Sequence, residues 1–317
     1  VMVGHGGTLA NGVHGAVNES INVEATRDVL LTGGSVGNTL VQIGNGGLAN
    51  AGGTKAADIA VTAGRNIILT GGQAGGDDVY VQIGNGGAQT SSSNTSGNIT
   101  VLAGGLLQVR AGTNPTPGDA TSDTPNYAQI GHGGHEKTGN HGLATDQITV
   151  RVNALELIGG SGAQSYAQIG NGGYDAGGNF AGDICIHVET GVILDANTQS
   201  GENAYVQIGH GGTLAGSAAS TFNGKVVVTT GSGGVTLRGG DTAPTGQYAQ
   251  IGHGGISTSG AMSGDLFVVA DDGGDLTMTG GAGPQAYVMV GHGDGVGVVG
   301  DFDSGTSSGT RQGGIQY

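Results

Sequence analysis

Eight times along the 317 residues an extended segment ends in one turn, V/A-Q/M-I/V-G-H/N-G, followed by a second Gly in every copy but the last. The first Gly of the turn falls at Gly4, Gly44, Gly84, Gly131, Gly170, Gly209, Gly252 and Gly291, in steps of 39 to 47 residues. Self-similarity at this period is the signature of stacked supersecondary units, none of which can bury its apolar face alone. Function is therefore expected along a repeated surface and not in one pocket.

Between turns the pattern recurs. A polar insert of variable length is followed by a period-2 apolar strand, such as Ile59-Val61-Ala63 or Ile184-Ile186-Val188, and then by a second, such as Ile67-Leu69 or Val192-Leu194. Alternation with β-branched enrichment reads as half-buried strand, and no helical period is sustained anywhere. With the strand before the turn, each repeat of about 40 residues holds three short strands, which is one triangular coil with its insert looping outward. Coils of this kind stack with strands about 4.8 Å apart, so Ile43, Ile83, Ile130, Ile169, Ile208 and Ile251 are expected to form one inward column. The reading is all-β, a parallel β-solenoid, with residues 1–304 as a single repeat domain of seven to eight coils and 305–317 as a Gly/Ser-rich tail read as coil. A seven-bladed β-propeller is the alternative; it needs four antiparallel strands per blade, and only three are visible.

Composition agrees with a thin core. Gly is 72 of 317 residues, aromatic residues are 4% and Trp is absent. The formal charge is −15, with 9 Lys plus Arg against 24 Asp plus Glu, so nothing is available to neutralise phosphates and nucleic acid is not an expected partner. No stretch reaches the roughly 20 apolar residues of a membrane helix. Cys185 is the only cysteine, which excludes an internal disulfide framework.

In the strand before the turn, aliphatics alternate with Tyr and Gln. With the aliphatics inward, Tyr80, Tyr127, Tyr166, Tyr205, Tyr248 and Tyr287 form one outward column and Gln42, Gln82, Gln129, Gln168, Gln207 and Gln250 another, with Leu40, Met2 and Met289 as exceptions. Stacked amides and rings support one another along such an axis. A Tyr stripe is too apolar to leave in water, so these columns are expected to meet another chain, another sheet or a carbohydrate.

Segments such as DIAVTAGRNIILTGG from Asp58 and NITVLAGGLLQV from Asn98 resemble the shaft repeats of filamentous haemagglutinin-like adhesins, over nearly the whole chain. That resemblance implies a right-handed parallel β-helix in a large secreted bacterial protein, and no catalytic residues.

Three constellations carry candidate chemistry. The column after I-G holds His5, Asn45, Asn85, His132, Asn171, His210, His253 and His292. His210, His253 and His292 in consecutive repeats invite a metal, but free exchange of His for Asn fits a left-handed turn position better. Clusters at Asp77-Asp78, Asp271-Asp272-Asp275 and Asp294-Asp301-Asp303 read as solvated loop tips. Calcium is the one ion they could take, and otherwise no metal or cofactor is expected. Carboxylate pairs for glycoside hydrolysis do not gather on one face, so no enzyme is expected. Cys185, between Ile184 and Ile186, is expected to point outward as an incidental substitution.

These readings converge on a structural repeat protein, the shaft segment of an extracellular or cell-surface filament or giant adhesin. It is expected to associate along its axis with copies of itself or with more of the same polypeptide, since no leader segment opens the chain and no cap is visible on its first coil. The alternative is an adhesive module that holds cell-surface carbohydrate through the Tyr and Gln columns or the loops.

Overall fold

A computed structural model describes all residues except 10–11, 14–18, 50–51, 73–77, 92, 114–124, 197–200, 241–244, 272, 294–310, 313–314 and 317. Every regular element among the described residues is a strand, and every strand pairing is parallel. The strands before the turns, from Met2–Val3 and Leu40–Ile43 to Ala249–Ile251 and Val288–Val290, form one eight-stranded sheet in chain order. The six isoleucines of the expected column are successive register partners, so one coil corresponds to one repeat. The fold is a parallel β-solenoid, and the propeller alternative falls because its blades would be antiparallel.

The second and third strands form a thirteen-stranded sheet around the other sides of the coil. In two repeats they run together as a single bent strand, Ile99–Arg110 and Gln147–Ile158, with a register shift after Ala103. Val, Ile and Leu from all these strands make one core that runs the length of the described coils. Adjacent positions repeat the same side-chain type, so each aliphatic meets its own kind above and below. Burying each contributes roughly 2 kcal/mol.

The inserts do not loop outward. Among the described residues they cross the Tyr and Gln face of the eight-stranded sheet, and most add a further short strand, such as Phe180–Ala181 or Ser259–Ser263, while the insert after Gly134 adds only a bridge at His141. Leu48, Ala88, Tyr174 and Ile256 of the inserts pack on the Tyr column as a second core layer. Tyr80–Ile83, Tyr166–Ile169 and Tyr205–Ile208 are consequently buried on both faces. The expected outward exposure of Tyr80, Tyr127, Tyr166, Tyr205 and Tyr248 is thereby corrected: none of these rings has any exposed surface. The apolar stripe is covered, as its chemistry requires, but by the chain itself. At the ends of the column Leu40 and Tyr287 are half-buried.

The tail also departs from the coil reading. Arg311–Gln312 pairs with Met262 and Ser263, and Ile315–Gln316 pairs with Leu266 and Phe267. Both lie in the coil that begins with Val288–Val290.

Candidate functional site

The residues that repeat most strictly gather in three parallel columns between the main core and the inserts. All three act along the solenoid axis.

The His/Asn column is the most regular. The backbone N–H of His5 donates to Asn45 Oδ1, that of Asn45 to Asn85 Oδ1, and that of Asn85 to His132 Nδ1, at 2.8, 2.9 and 3.1 Å. The series continues through Asn171, His210, His253 and His292 at 2.8–3.0 Å. The far end of each side chain donates to a carbonyl: Asn45 Nδ2 to Ala56, His132 Nε2 to Gly97, His210 Nε2 to Gly182 and His253 Nε2 to Gly224. These partners fix the tautomer, with the proton on Nε2 and the lone pair on Nδ1. Asn offers the same acceptor and donor in one planar group, which is why the two residue types exchange. The left-handed explanation is corrected: none of the eight has positive φ, whereas the flanking glycines do, and the left-handed non-Gly positions lie four residues further on, at Gln89, Glu136, Asp175 and Leu214 among others.

Both ring nitrogens of His132, His210, His253 and His292 are committed to these bonds, so no lone pair remains to ligate a metal. The rings of His210, His253 and His292 stack at 4.7 and 4.8 Å. Burial pushes His210 down to about 4 and His253 well below the ordinary imidazole value. Among the described residues no group of three or more His, Cys, Asp or Glu side chains could hold a metal ion.

The Gln column is also buried, against the outward reading of Gln42, Gln82, Gln129, Gln168, Gln207 and Gln250. Each Nε2 reaches into the turn of the next coil and donates to two glycine carbonyls. Gln129 bonds Gly170 and Gly172 at 3.0 and 2.8 Å, Gln168 bonds Gly209 and Gly211 at 3.0 Å each, and Gln207 bonds Gly252 and Gly254 at 2.9 Å each. An amide that would be costly to bury alone is thus spent on holding the turn beside it. Replacing Gln207 with Leu keeps the volume and removes both donors. We expect a loss of about 2–3 kcal/mol in chemical denaturation, with faster amide exchange at Gly252 and Gly254.

The Tyr column explains the glycines. Neighbouring rings stack at 4.7–4.9 Å within a few degrees of parallel, from Tyr80 to Tyr287. From Tyr80 to Tyr248 each hydroxyl ends over the last Gly of its own turn, and a Cβ on Gly134, Gly173 or Gly212 would overlap the Tyr127, Tyr166 or Tyr205 oxygen. The first Gly of the turn answers a different neighbour: a Cβ on Gly170 would overlap the carbonyl of Gly209 one coil on.

Two groups were not legible beforehand. A fourth column, Lys55, Thr95, His141, Phe180, Phe222 and Met262, runs through the insert strands, with the rings of His141, Phe180 and Phe222 stacked at 4.9 and 4.5 Å. Apart from His141, its members occupy the position two residues before a Gly or Ala that precedes the second strand, a spacing visible in Phe180-Ala181-Gly182 and Phe222-Asn223-Gly224 but hidden by insert length. The second group is charged. Asp78, read as part of a solvated loop tip, is buried: its Oδ1 meets His135 Nδ1 at 2.9 Å and its Oδ2 accepts from Gln89 Nε2 at 2.8 Å. Lys137 donates to the carbonyls of Ser93 and Thr138, and burial together with the Lys55 charge pushes it down to about 7. No exposed surface reaches Lys137, His135 or His141, so this cluster offers no access to a substrate. Of the remaining acidic residues singled out, Asp271 and Asp275 are exposed, and Asp77, Asp272, Asp294, Asp301 and Asp303 lie outside the described residues.

Comparison with protein-family models, curated proteins and solved structures gives no match.

Proposed function

We propose that the chain is a non-enzymatic shaft segment of an extracellular filament or giant adhesin, extended along the solenoid axis by association with further coils of its own kind. One observation carries this reading. The recurring polar side chains bond from one coil to the next, the Gln amides through Nε2 and the His/Asn groups through a backbone N–H, and from Gln42 and Asn45 to Gln250 and His253 they are buried away from solvent. A carbohydrate cannot reach the buried Tyr or Gln columns, which leaves the adhesive alternative only the loops as a contact surface. Axial contact has a place to form. Among the described residues, six of the eleven large apolar side chains that remain exposed lie in the first coil: Val1, Val3, Leu9, Val13, Leu30 and Val36. Unpaired strand edges with apolar neighbours are templates for further pairing.

Electron microscopy at micromolar concentration tests the reading. Rods of constant width that lengthen with concentration are the expected result. Dispersed rods of a single length, with both terminal coils ordered and open to solvent, would remove axial association from the function.

A further inference from the structure

The outer face of the thirteen-stranded sheet presents two columns of outward side chains per strand, and over three neighbouring coils these columns enclose an open groove of about 260 Å³. Thr149, Cys185 and Val227 are register partners along one column; Arg151, His187 and Thr229 are partners along the other. The patch is two side chains by three strands, on the order of 7 by 10 Å.

Cations open to solvent are few on this molecule. Of the nine Lys and Arg residues, Lys55 and Lys137 are buried, while Arg65 and Arg238 pair with Asp28 and Asp195. Arg151, like Arg27 and Arg110, is exposed and makes no ion pair among the described residues, and of these it is the one that lines the groove. Lys225 lies close enough for its charge and that of Arg151 both to act on the Cys185 thiol, with Asp183 opposing them. The remaining polar groups are partly engaged: His187 Nδ1 meets Thr229 Oγ1 at 2.9 Å and its Nε2 lies 3.4 Å from Glu189, while Gln147 Nε2 donates to Cys185 Sγ at 3.3 Å and Thr149 Oγ1 to Gln147 Oε1 at 3.0 Å. A free guanidinium beside hydroxyls and a Val side chain, in an otherwise acidic surface, matches a small anion that carries its charge at one end and hydroxyls along the other.

We propose that this groove binds a small carboxylate of about the size of a hexuronic acid, with the Arg151 guanidinium taking the two carboxylate oxygens and Thr149 and Thr229 meeting the ring hydroxyls. The inference is independent of axial association, since the groove lies on the side of the rod.

Cys185 is the only thiol in the chain and lines the groove, so its alkylation by iodoacetamide reports occupancy directly. Galacturonate at on the order of 10 mM is expected to slow alkylation about threefold, as a site with a Kd of roughly 5 mM requires, while galactose leaves the rate unchanged. Succinate separates the two sources of a carboxylate: equal slowing means that the carboxylate alone is recognised, and slowing by galacturonate only means that the ring is read as well. Arg151→Ala, at an exposed position outside the core, is expected to abolish the protection. No slowing by either acid, equal slowing by galactose, or protection unchanged in Arg151→Ala would each overturn the proposal. Should the thiol prove slow to alkylate, perturbation of the His187 ring resonances by galacturonate, present in the native chain and absent in Arg151→Ala, gives the same decision.

Discussion

Acidification from pH 7 to 4.5 is expected to destabilise the chain by several kcal/mol and to open it unevenly, the coils around His210 and His253 first. In the folded chain these two imidazoles are neutral, each accepting a backbone N–H at Nδ1 and donating at Nε2. An added proton would turn an acceptor into a donor facing another donor, inside a column without exposed surface at His210 and His253. Burial holds His210 at about 4, and His253 is lowered well below its ordinary value by burial and by its two stacked neighbours. An unfolded His titrates near 6.5, so as pH falls the unfolded chain takes up protons first. Stability is therefore complete above about 6.5 and declines from there down to the folded value, by roughly 3 kcal/mol for a group displaced as far as His210. His132 and His141 are lowered in the same direction by burial. Coils built on Asn45 and Asn85 carry no such group in the column and should keep their amide protection longest. Hydrogen exchange followed at pH 7 and 4.5 measures this order. The combined change of His210 and His253 to Asn keeps the acceptor for the neighbouring N–H and removes the titration, so it should flatten the pH dependence. Equal acid loss in the native chain and in that variant would show that the column is not the acid-sensitive element.

The architecture was legible because it depends on periodicities that no insert can disguise. Period-2 alternation in segments such as Ile59-Val61-Ala63 gave the strands, the shared turn gave the period, and the aliphatic column fell where expected. What alternation cannot say is what lies beyond the second face of a strand. For Tyr166-Ala167-Gln168-Ile169 it separated aliphatics from Tyr and Gln correctly, and the error was to equate the polar face with solvent. The missing signal was available in the turn. A Gly seven residues after each buried Tyr, as in Tyr166 and Gly173, leaves space for the hydroxyl and marks the ring as folded inward over its own turn. The exchange of His with Asn was likewise visible, but several physical causes share it, and only the bonds to neighbouring coils select between a backbone requirement and a donor–acceptor requirement. The tail shows a milder version of the same limit. Its Gln312-Gly313-Gly314-Ile315 repeats the spacing of Ser263-Gly264-Asp265-Leu266, and its strands pair there, yet the unusual distance from the preceding turn concealed the match.

Tyr166→Ala is expected to cost about 4–6 kcal/mol, the largest effect of any single substitution considered, whereas Tyr166→Phe is expected to be close to neutral. The ring is fully buried and lies between Tyr127 at 4.7 Å and Tyr205 at 4.9 Å, both within 6° of parallel. Truncating a buried aromatic typically costs 3–5 kcal/mol through lost transfer energy and the cavity left behind, and each lost stack adds about 0.5–1.5 kcal/mol. The hydroxyl contributes little. It lies against the backbone of Tyr174 without forming a hydrogen bond of good geometry, so removing it orphans no partner. The location of the damage follows from the two-layer section. Ala167 and Ile169, on the opposite face of the same strand, belong to the main core, and Gln129 and Gln168 still tie the turns on either side. The sheets should therefore survive, while the insert around Tyr174 and Ala176 loses its seat. Limited proteolysis should cut Tyr166→Ala within residues 174–179 under conditions that leave the native chain and Tyr166→Phe intact, and a low-temperature transition should precede the main melt. A loss below about 1 kcal/mol with no new cleavage would mean that the inserts are held by their own strand pairing and that the Tyr column merely fills the space beneath them.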